Sequence, residues 1–239
     1  MASVIRLHVN HPLGAGQSVP LSREQSHYLF GVMRKGVGEV LELFNGQDGE
    51  WLGRVVQAGK RNGLLLCERQ SKPMQLPPDL WLLFAPIKKA RTDFIVEKAT
   101  EMGVAQILPV QSDFTNSERI RQDRLQNHAV EAAEQCGGTY VPAVHELQKL
   151  SKLLDGWDPQ RQIMFCDETR LGSGAGLPSL AGPWAVLIGP EGGFSPAERR
   201  RLNEMPHAHG VALGPRILRA DTAAVAALTL WQSALGDWK

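Results

Sequence analysis

Two short glycine-containing stretches have the residue types that hold a small ligand. Residues 189–194 read GPEGGF and follow the apolar run WAVLI at 184–188. Residues 213–219 read LGPRILR and begin where a second apolar run, 210–213, ends. A strand, a glycine-rich turn and a helix start bring backbone N–H groups close to a bound ligand. Since α/β proteins bind small molecules at the carboxyl edge of a parallel sheet, we expect the two loops to lie side by side there.

Charged side chains accompany both loops. Arg219 and Asp221 flank the second loop, and Glu191 lies within the first. A guanidinium can stabilise a developing anion, and a carboxylate can accept a proton directly or through water. The alternative role for Asp221, shared with Thr222, is to cap the amino terminus of the following helix, because aspartate is a preferred cap.

The paired loops resemble the signature of a known family. GPEGGFSPAE at 189–198, followed by LGPRILRADTA at 213–223, is similar to the RsmE family of SPOUT-class methyltransferases. The resemblance covers nearly the whole chain. It implies S-adenosylmethionine (SAM)-dependent methylation of N3 of a uridine in 16S ribosomal RNA of the small subunit, by a homodimer that needs no metal. It also implies a trefoil knot, a rare exception to unknotted topology.

The loops meet the chemical needs of SAM. Its adenine needs a narrow apolar slot, its ribose and amino-acid end need hydrogen bonds, and its sulfonium is a cation. The alternative interpretation is that each loop is only a tight turn, which is the commonest use of glycine. The predicted cofactor-binding residues are backbone groups of the first loop and apolar walls from the second: Leu187, Ile188, Gly189, Pro190, Glu191, Gly192, Gly193, Leu213, Gly214, Ile217 and Leu218.

The predicted catalytic residues are Arg219 and Asp221. A uridine must lose its N3 proton before it attacks, so Arg219 would stabilise the uridinate and Asp221 would take the proton. Glu191 is predicted to orient SAM instead. The chain departs from the family pattern at two positions, since glutamate is usual where Asp221 stands and arginine is usual at Gly138.

Basic residues outside the loops are the predicted RNA contacts. The resemblance implies Arg6 and Arg34, which match positions where the family keeps basic residues in its barrel. Lys88, Lys89 and Arg91 follow the first strand of the carboxyl-terminal part and resemble the family's Lys-x-x-Arg segment. Phosphate contacts need only mobile cations, and a solvated charged face is the alternative for each residue. A second basic cluster is assigned to such a face: Arg119, Arg121 and Arg124.

Two rival functions share these motifs. A related SPOUT methyltransferase that acts on another RNA would keep the SAM loops and differ in its RNA-facing residues. A non-catalytic RNA-binding or ribosome assembly factor would carry a vestigial SAM pocket. Intact glycines at 192, 193 and 214 argue against such decay.

The amino-terminal part is predicted to be mostly β. Apolar and polar residues alternate or cluster in short runs at 4–9, 39–44, 51–56 and 64–67, and residues 45–49 have the composition of a hairpin loop. Several short strands favour a small barrel, which the resemblance identifies as a PUA-like RNA-binding β-barrel. Ser22 is a predicted helix N-cap, with Gln25 three residues on. We assign residues 1–72 to this barrel and residues 73–79 to a linker.

Residues 80–239 are predicted to form the α/β methyltransferase domain. Five apolar runs alternate with helical patterns, which indicates a mainly parallel sheet with helices on both faces. The last helix, 221–235, is poor in charge and is expected to be buried on two sides, with a subunit interface as one of them. Residues 171–178 have a GxGxG spacing, which differs from the GxGxxG of dinucleotide-binding sites, and are predicted to be a loop. The predicted strands are 80–85, 105–110, 162–166, 184–188 and 210–213, and the predicted helices are 91–102, 117–135, one that opens at 195, and 221–235.

Composition narrows the class of protein. The 239 residues are 43% hydrophobic with a formal net charge of +1, which is typical of a globular chain and neither indicates nor excludes a nucleic-acid partner. No apolar run is long enough to span a membrane, and three widely spaced cysteines favour the reducing cytoplasm. His207 and His209 lack the further ligands of a metal site and are assigned to a surface loop.

Overall fold

A computed structural model of the chain describes residues 4–117, 119–167 and 177–238. The chain divides into two compact units. One comprises Met1–Leu76 with Ala133–Val141, and the other comprises Pro77–Ala132 with Pro142–Lys239. The predicted bounds of the barrel, linker and methyltransferase domain stay a prediction. Most of the loop predicted at 171–178 lies outside the described residues.

The first unit is built on a curled sheet of five strands in the order β1-β3-β4-β5-β2. Neighbouring strands are antiparallel except for β1 and β3, which are parallel. Its core is made of alternate strand residues that face inward, as a half-buried sheet requires. The strands are β1 (Arg6–His8), β2 (Ser18–Pro20), β3 (Val40–Phe44), β4 (Glu50–Gln57) and β5 (Leu64–Lys72).

Local signals in this unit were informative. The predicted turn at 45–49 joins β3 to β4 as a hairpin. Helix α1 (Arg23–Ser26) starts with the expected capping box, in which Ser22 and Gln25 bond each other's backbone N–H groups. A π-helical segment, His27–Val32, continues it. The short strand β2 was not predicted.

The second unit contains a parallel sheet in the order β12-β10-β11-β6-β7-β8, with β9 also paired to β7. All five predicted strands are present. The sequence did not predict β8 and β9, which have two residues each. The strands are β6 (Leu80–Phe84), β7 (Gln106–Gln111), β8 (Ala143–Val144), β9 (Gln148–Lys149), β10 (Gln162–Cys166), β11 (Trp184–Ile188) and β12 (Ala208–Val211).

Helices cover both faces of this sheet. Every residue of β11 is buried, which requires cover on two sides. Ala185 and Leu187 face a core that includes Leu150 of α4 and Leu202 of α5, while α6 packs on β11 and on α2. The helices are α2 (Lys89–Glu101), α3 (Gln122–Cys136), α4 (Leu150–Asp155), α5 (Pro196–Glu204) and α6 (Ala220–Ala234). The predicted α/β fold is confirmed, and the trefoil knot stays a prediction.

Two details of this unit differ from expectation. His209 is not in a loop but in strand β12, where its Nε2 lies 2.8 Å from Oε1 of Gln162 and its ring packs against Trp184. Helix α6 buries Ala224, Leu228 and Trp231 within the unit, whereas Leu230 is 38% exposed. The two-sided burial expected of α6 is therefore absent from a single chain.

Candidate functional site

A cleft opens where strands β10, β11 and β12 end. Its empty space is about 630 Å³, including the part that opens to solvent. Both predicted loops line it. Eight of the eleven predicted cofactor-binding residues are in its wall: Ile188, Gly189, Pro190, Glu191, Gly193, Leu213, Ile217 and Leu218. Leu187, Gly192 and Gly214 are outside this lining.

The two loops do not lie directly side by side. Strand β10 lies between β11 and β12, so its carboxyl end separates the loops. The expected edge of the sheet is nevertheless where the cleft forms. Cys166 and Asp167, at the end of β10, therefore become part of its lining.

The shape of the first loop depends on close packing against a buried ring. A Cβ at Gly189 would lie 3.2 Å from the ring of Phe194, which is itself buried. Gly193 has a φ of +68°, in the left-handed region that favours glycine. The N–H of Gly193 donates to the carbonyl of Pro190 at 2.9 Å. These two glycines allow the backbone to fold tightly along the cleft wall.

The helix after the first loop starts with a capping box. The Oγ of Ser195 accepts from the N–H of Glu198, and the carboxylate of Glu198 accepts from the N–H of Ser195. The same two side chains reach a third position, since Ser195 Oγ donates to Asp113 and the N–H of Asp113 donates to Glu198 at 2.9 Å. The turn at Asp113 therefore holds the start of α5, which directly follows the first loop, in place.

The second loop leads directly into α6. Gly214 has a φ of +110°, which a residue with a Cβ rarely adopts. Ile217 is 68% exposed at the cleft, and an apolar side chain so exposed is open to a ligand or a partner. Arg219 is the N-cap residue of α6, with no hydrogen bond from its side chain to the helix, and it is exposed.

Asp221 does not cap the helix, contrary to the alternative considered from the sequence. Because α6 begins at Ala220, Asp221 lies in its first turn, where its Oδ1 accepts from the N–H of Thr222 at 3.0 Å. Its Oδ2 lies 3.7 Å from Nε of Arg91. Asp221 is therefore held by a backbone N–H of its own helix and by the guanidinium of a residue on α2.

Arg91 connects the first loop to the first turn of α6. Its Nη1 donates to Oε1 of Glu191 at 3.1 Å, and its Nε faces Asp221. The structure thus brings together a predicted RNA contact, the predicted SAM-orienting carboxylate and the predicted proton acceptor. Neither Arg219 nor Asp221 is in the cleft lining itself, although Ala220 between them is.

Sequence reasoning missed Cys166 and Asp167. Asp167 is buried in the cleft wall and places a carboxylate there. Burial raises the pKa of the Cys166 thiol to about 12, so it is a protonated wall group and not a nucleophile. The signal available was that Cys166 ends a predicted strand and Asp167 follows it. Only the strand order shows that this strand ends between the two loops.

The predicted RNA contacts have different surroundings. Lys88 is the N-cap residue of α2, and Lys89 begins that helix; both are exposed. Arg34 is exposed two residues after the π-helical segment, with a φ of +55°. These three cations are accessible to a phosphate.

Arg6 is held within the first unit. Its Nε donates to Glu50 at 2.8 Å, and its Nη atoms donate to the carbonyls of Ala133, Glu134 and Gly138. Its guanidinium also covers the ring of Phe44. These bonds satisfy carbonyls at the carboxyl end of α3, which favours a structural role. An RNA contact by Arg6 stays a prediction.

Among the residues that the structure describes, no group of three or more His, Cys, Asp or Glu side chains could hold a metal ion. Over the same part of the chain, none of the helices has the length and apolarity to cross a membrane.

The chain is similar to known RNA methyltransferases both in sequence and in structure. A family profile described as an RNA methyltransferase domain matches residues 74–232, and one described as an RNA methyltransferase PUA domain matches residues 21–65. Ribosomal RNA small subunit methyltransferase E of Rickettsia conorii is 27% identical, over 93% of each chain. The protein of the same name from Synechocystis is 30% identical, over 88% of this chain and 71% of its own. In structure, the chain resembles the Neisseria gonorrhoeae ribosomal RNA small subunit methyltransferase E bound to SAM, with a TM-score of 0.89, 26% identity, and coverage of 99% of this chain and 100% of that one.

Proposed function

Because this chain belongs to the ribosomal RNA small subunit methyltransferase E family, we propose that it uses SAM to methylate N3 of a uridine in 16S ribosomal RNA. The observation that carries this proposal is the cleft at the ends of β10, β11 and β12, which both predicted loops line. The similar Neisseria protein binds SAM, and 99% of this chain aligns with it.

The residues of the cleft fit SAM. Its lining is mainly apolar, with Ile188, Leu213 and Leu218 as walls for an adenine ring. The backbone of the first loop offers hydrogen bonds for the ribose and amino-acid groups. The lining also contains the carboxylates of Asp167 and Glu191 and the guanidinium of Arg216, which are polar groups suited to the charged amino-acid end of SAM.

SAM, when bound, supplies a methyl group made electrophilic by the sulfonium. The residues of this chain then have to align the uridine and remove its N3 proton. N3 forms a bond to the methyl carbon as the methyl–sulfur bond breaks and its electron pair stays on sulfur. Alignment supplies much of the rate in such a displacement.

Arg219 and Asp221 are the proposed catalytic residues. Arg219 is exposed at the start of α6 and can approach the uridine carbonyl oxygens, where the negative charge of the uridinate is delocalised. Asp221 would accept the N3 proton directly or through a water. Its Oδ2 lies 3.7 Å from Nε of Arg91, which can hold the side chain in position for this role.

The PUA domain and the exposed cations support an RNA substrate. Lys88, Lys89 and Arg34 are accessible for phosphate contacts, and the proposed partner is 16S ribosomal RNA or the small subunit that contains it. A ribosomal substrate agrees with the cytoplasmic location predicted from the sequence. We also propose a homodimer, in which a second copy covers the outer face of α6.

Calorimetry with SAM, combined with a methylation assay on small subunits that lack the modification, tests the proposal. We expect SAM binding and one methyl group per subunit, mapped to uridine N3. Binding without transfer to subunits would move the substrate to another RNA. Absence of SAM binding would exclude the enzyme and leave a non-catalytic RNA-binding factor.

A further inference from the structure

A second groove lies beside the amino termini of two helices. Its empty space is about 990 Å³, including the part that opens to solvent, and it is bounded by the start of α2, by Ser117 and residues 119–121, and by the first turn of α3. Its apolar wall includes Ile87, Ile120 and Leu125. Four of its ten lining residues are lysine or arginine, and none is a carboxylate. An apolar wall beside clustered cations is chemically suited to a nucleotide, which has a flat base and a charged phosphate.

The four cations are not equivalent. Arg124 is bonded to Asp93, and Arg121 is bonded to Asp123 at 2.6 Å. Lys89 and Arg119 are exposed at the rim of the groove. Arg119 was assigned from the sequence to a solvated face, whereas the structure places it in the lining of this groove.

The groove continues toward the cofactor cleft. A smaller cleft shares Ile87 and Ser117 with it and extends to Pro190 and Glu191. Those last two residues also line the cofactor cleft. The three depressions therefore form a series along one surface of the second unit.

The chemistry of the target explains why such a series is needed. Uridine N3 carries the Watson–Crick hydrogen bond of a base pair, so an enzyme that methylates it must take the uridine unpaired and out of its stack. Nucleotides beside it are then available as a single strand. Proteins hold such strands by contacts between bases and apolar or aromatic surfaces, and between phosphates and cations.

We propose that this groove binds the nucleotide next to the target uridine on single-stranded RNA. Its base packs on Ile87 and Ile120, and its phosphate lies between Lys89 and Arg119. This inference rests on the proposed function, because it assigns a neighbouring subsite of the same reaction. It gives Ile120 and Arg119 a role in binding substrate and leaves the SAM cleft unaffected.

The test uses the full-length chain and a single-stranded, uridine-containing RNA oligonucleotide. We expect the Lys89→Ala/Arg119→Ala double variant to bind it at least tenfold more weakly than wild type. The slope of log affinity against log salt should become shallower by about 0.7, since the two cations hold one phosphate and each single-strand phosphate contact contributes about 0.7. Ile120→Ala should weaken binding without changing that slope. Arg200→Ala, which removes an exposed cation of α5 outside the groove, is the matched control.

Calorimetry with SAM verifies that each variant keeps its fold and its cofactor cleft. If the double variant and Ile120→Ala bind RNA as tightly as Arg200→Ala does, and with the same salt slope, the groove does not hold RNA. That result would contradict the RNA-binding role of the groove and would leave the proposed methyltransferase function unaffected. If wild-type protein binds RNA and SAM but methylates no uridine N3, the proposed function fails while the binding comparison still decides the groove.

Discussion

At the scale of single residues, the two arginines beside the loops differ in the contacts that they make within the chain. Arg91 lies between Glu191 and Asp221, and therefore links the first loop to the first turn of α6. Arg219 is exposed and makes no capping bond to α6. A guanidinium between two carboxylates is placed to position them, whereas an exposed one is available to a substrate. Replacing Arg91 and replacing Arg219 should therefore have different effects on SAM binding and on methyl transfer.

Replacing Arg219 with alanine should slow methyl transfer while SAM and RNA binding stay near wild type. The loss of a group that stabilises the uridinate is expected to lower kcat by about 10²–10³-fold, as for an oxyanion-stabilising donor. Single-turnover methylation of subunits would measure it. Arg219→Lys, which keeps the charge, should recover part of the rate. A normal rate in Arg219→Ala would remove Arg219 from the catalytic assignment.

Replacing Arg91 with alanine should affect both SAM affinity and turnover with little change in stability. Its ion pairs are partly exposed, so their contribution to the free energy of unfolding is small, about 1 kcal/mol or less. Without it, Glu191 and Asp221 lose the group between them. Calorimetry, kinetics and urea unfolding on Arg91→Ala and Arg91→Lys would separate the effects. Wild-type kinetics and SAM affinity in Arg91→Ala would contradict a positioning role.

At the scale of elements, the sequence predicted most strands and helices but not their order. The five long strands of the second unit and the capping boxes at Ser22 and Ser195 follow from local patterns. The position of β10 between β11 and β12 depends on long-range packing that no local pattern encodes. Cys166 and Asp167 were missed for that reason. Strands of two residues, such as β8, carry too little pattern to be recognised.

The role of Arg6 also depends on elements that are distant in sequence. As a strand residue with a positive charge, it reads as a surface cation. The structure places it against Glu50 of β4, 44 residues away, and against the carboxyl end of α3, 127 or more residues away. Gly138, where arginine was expected, contributes a carbonyl to this network. The sequence could not distinguish this buried network from an RNA contact.

Glu50 provides a test of that network through pH. Its side chain is buried, and although burial alone raises the pKa of this carboxyl, hydrogen bonds from Arg6, Ser71 and Lys72 bring the pKa below its ordinary value. Because the folded pKa is below the unfolded pKa, the carboxylate stabilises the fold above the unfolded value. That stabilisation is lost as pH falls through the folded pKa.

Glu50→Gln should therefore be less stable than wild type at pH 7, by about 2 kcal/mol for a buried bond to a charged group. The difference should shrink as the pH falls below about 4, near the ordinary pKa of a glutamate. Urea unfolding across this pH range measures it. Glu68→Gln, which removes an exposed partner of Arg54, is the control and should change little. A pH-independent difference for Glu50→Gln would show that the ionised carboxylate does not stabilise the fold.

At the scale of the whole molecule, the net charge of +1 gives no indication of an RNA partner, and binding must depend on local clusters. The exposed cations Lys88, Lys89 and Arg119 lie on the second unit, and Arg34 lies on the first. Such a distribution allows phosphate contacts from both units without a strongly basic chain. It also means that neutralising one cluster should weaken RNA binding only in part.

The outer face of α6 leads to the last prediction, that the chain is a homodimer. Leu230 is 38% exposed on a helix whose opposite face is buried in the unit, and Ile217, beside the cleft, is 68% exposed. Apolar groups exposed near a binding site favour a protein partner. Sedimentation at micromolar concentration should give twice the 26.2 kDa chain mass. Leu230→Glu should shift the protein to monomer, because burying an unpaired charge in an interface is costly.

The same variant connects assembly to the cofactor site. If a second copy covers Ile217 and helps to enclose SAM, the Leu230→Glu monomer should bind SAM more weakly, and the loss should diminish as protein concentration rises. Val37→Glu, at an exposed apolar position of the first unit, should leave both mass and affinity unchanged. A wild-type monomer would exclude the dimer under these conditions. A dimer that persists in Leu230→Glu would place the interface away from this face of α6, and SAM affinity that is independent of assembly would show that one chain completes the site.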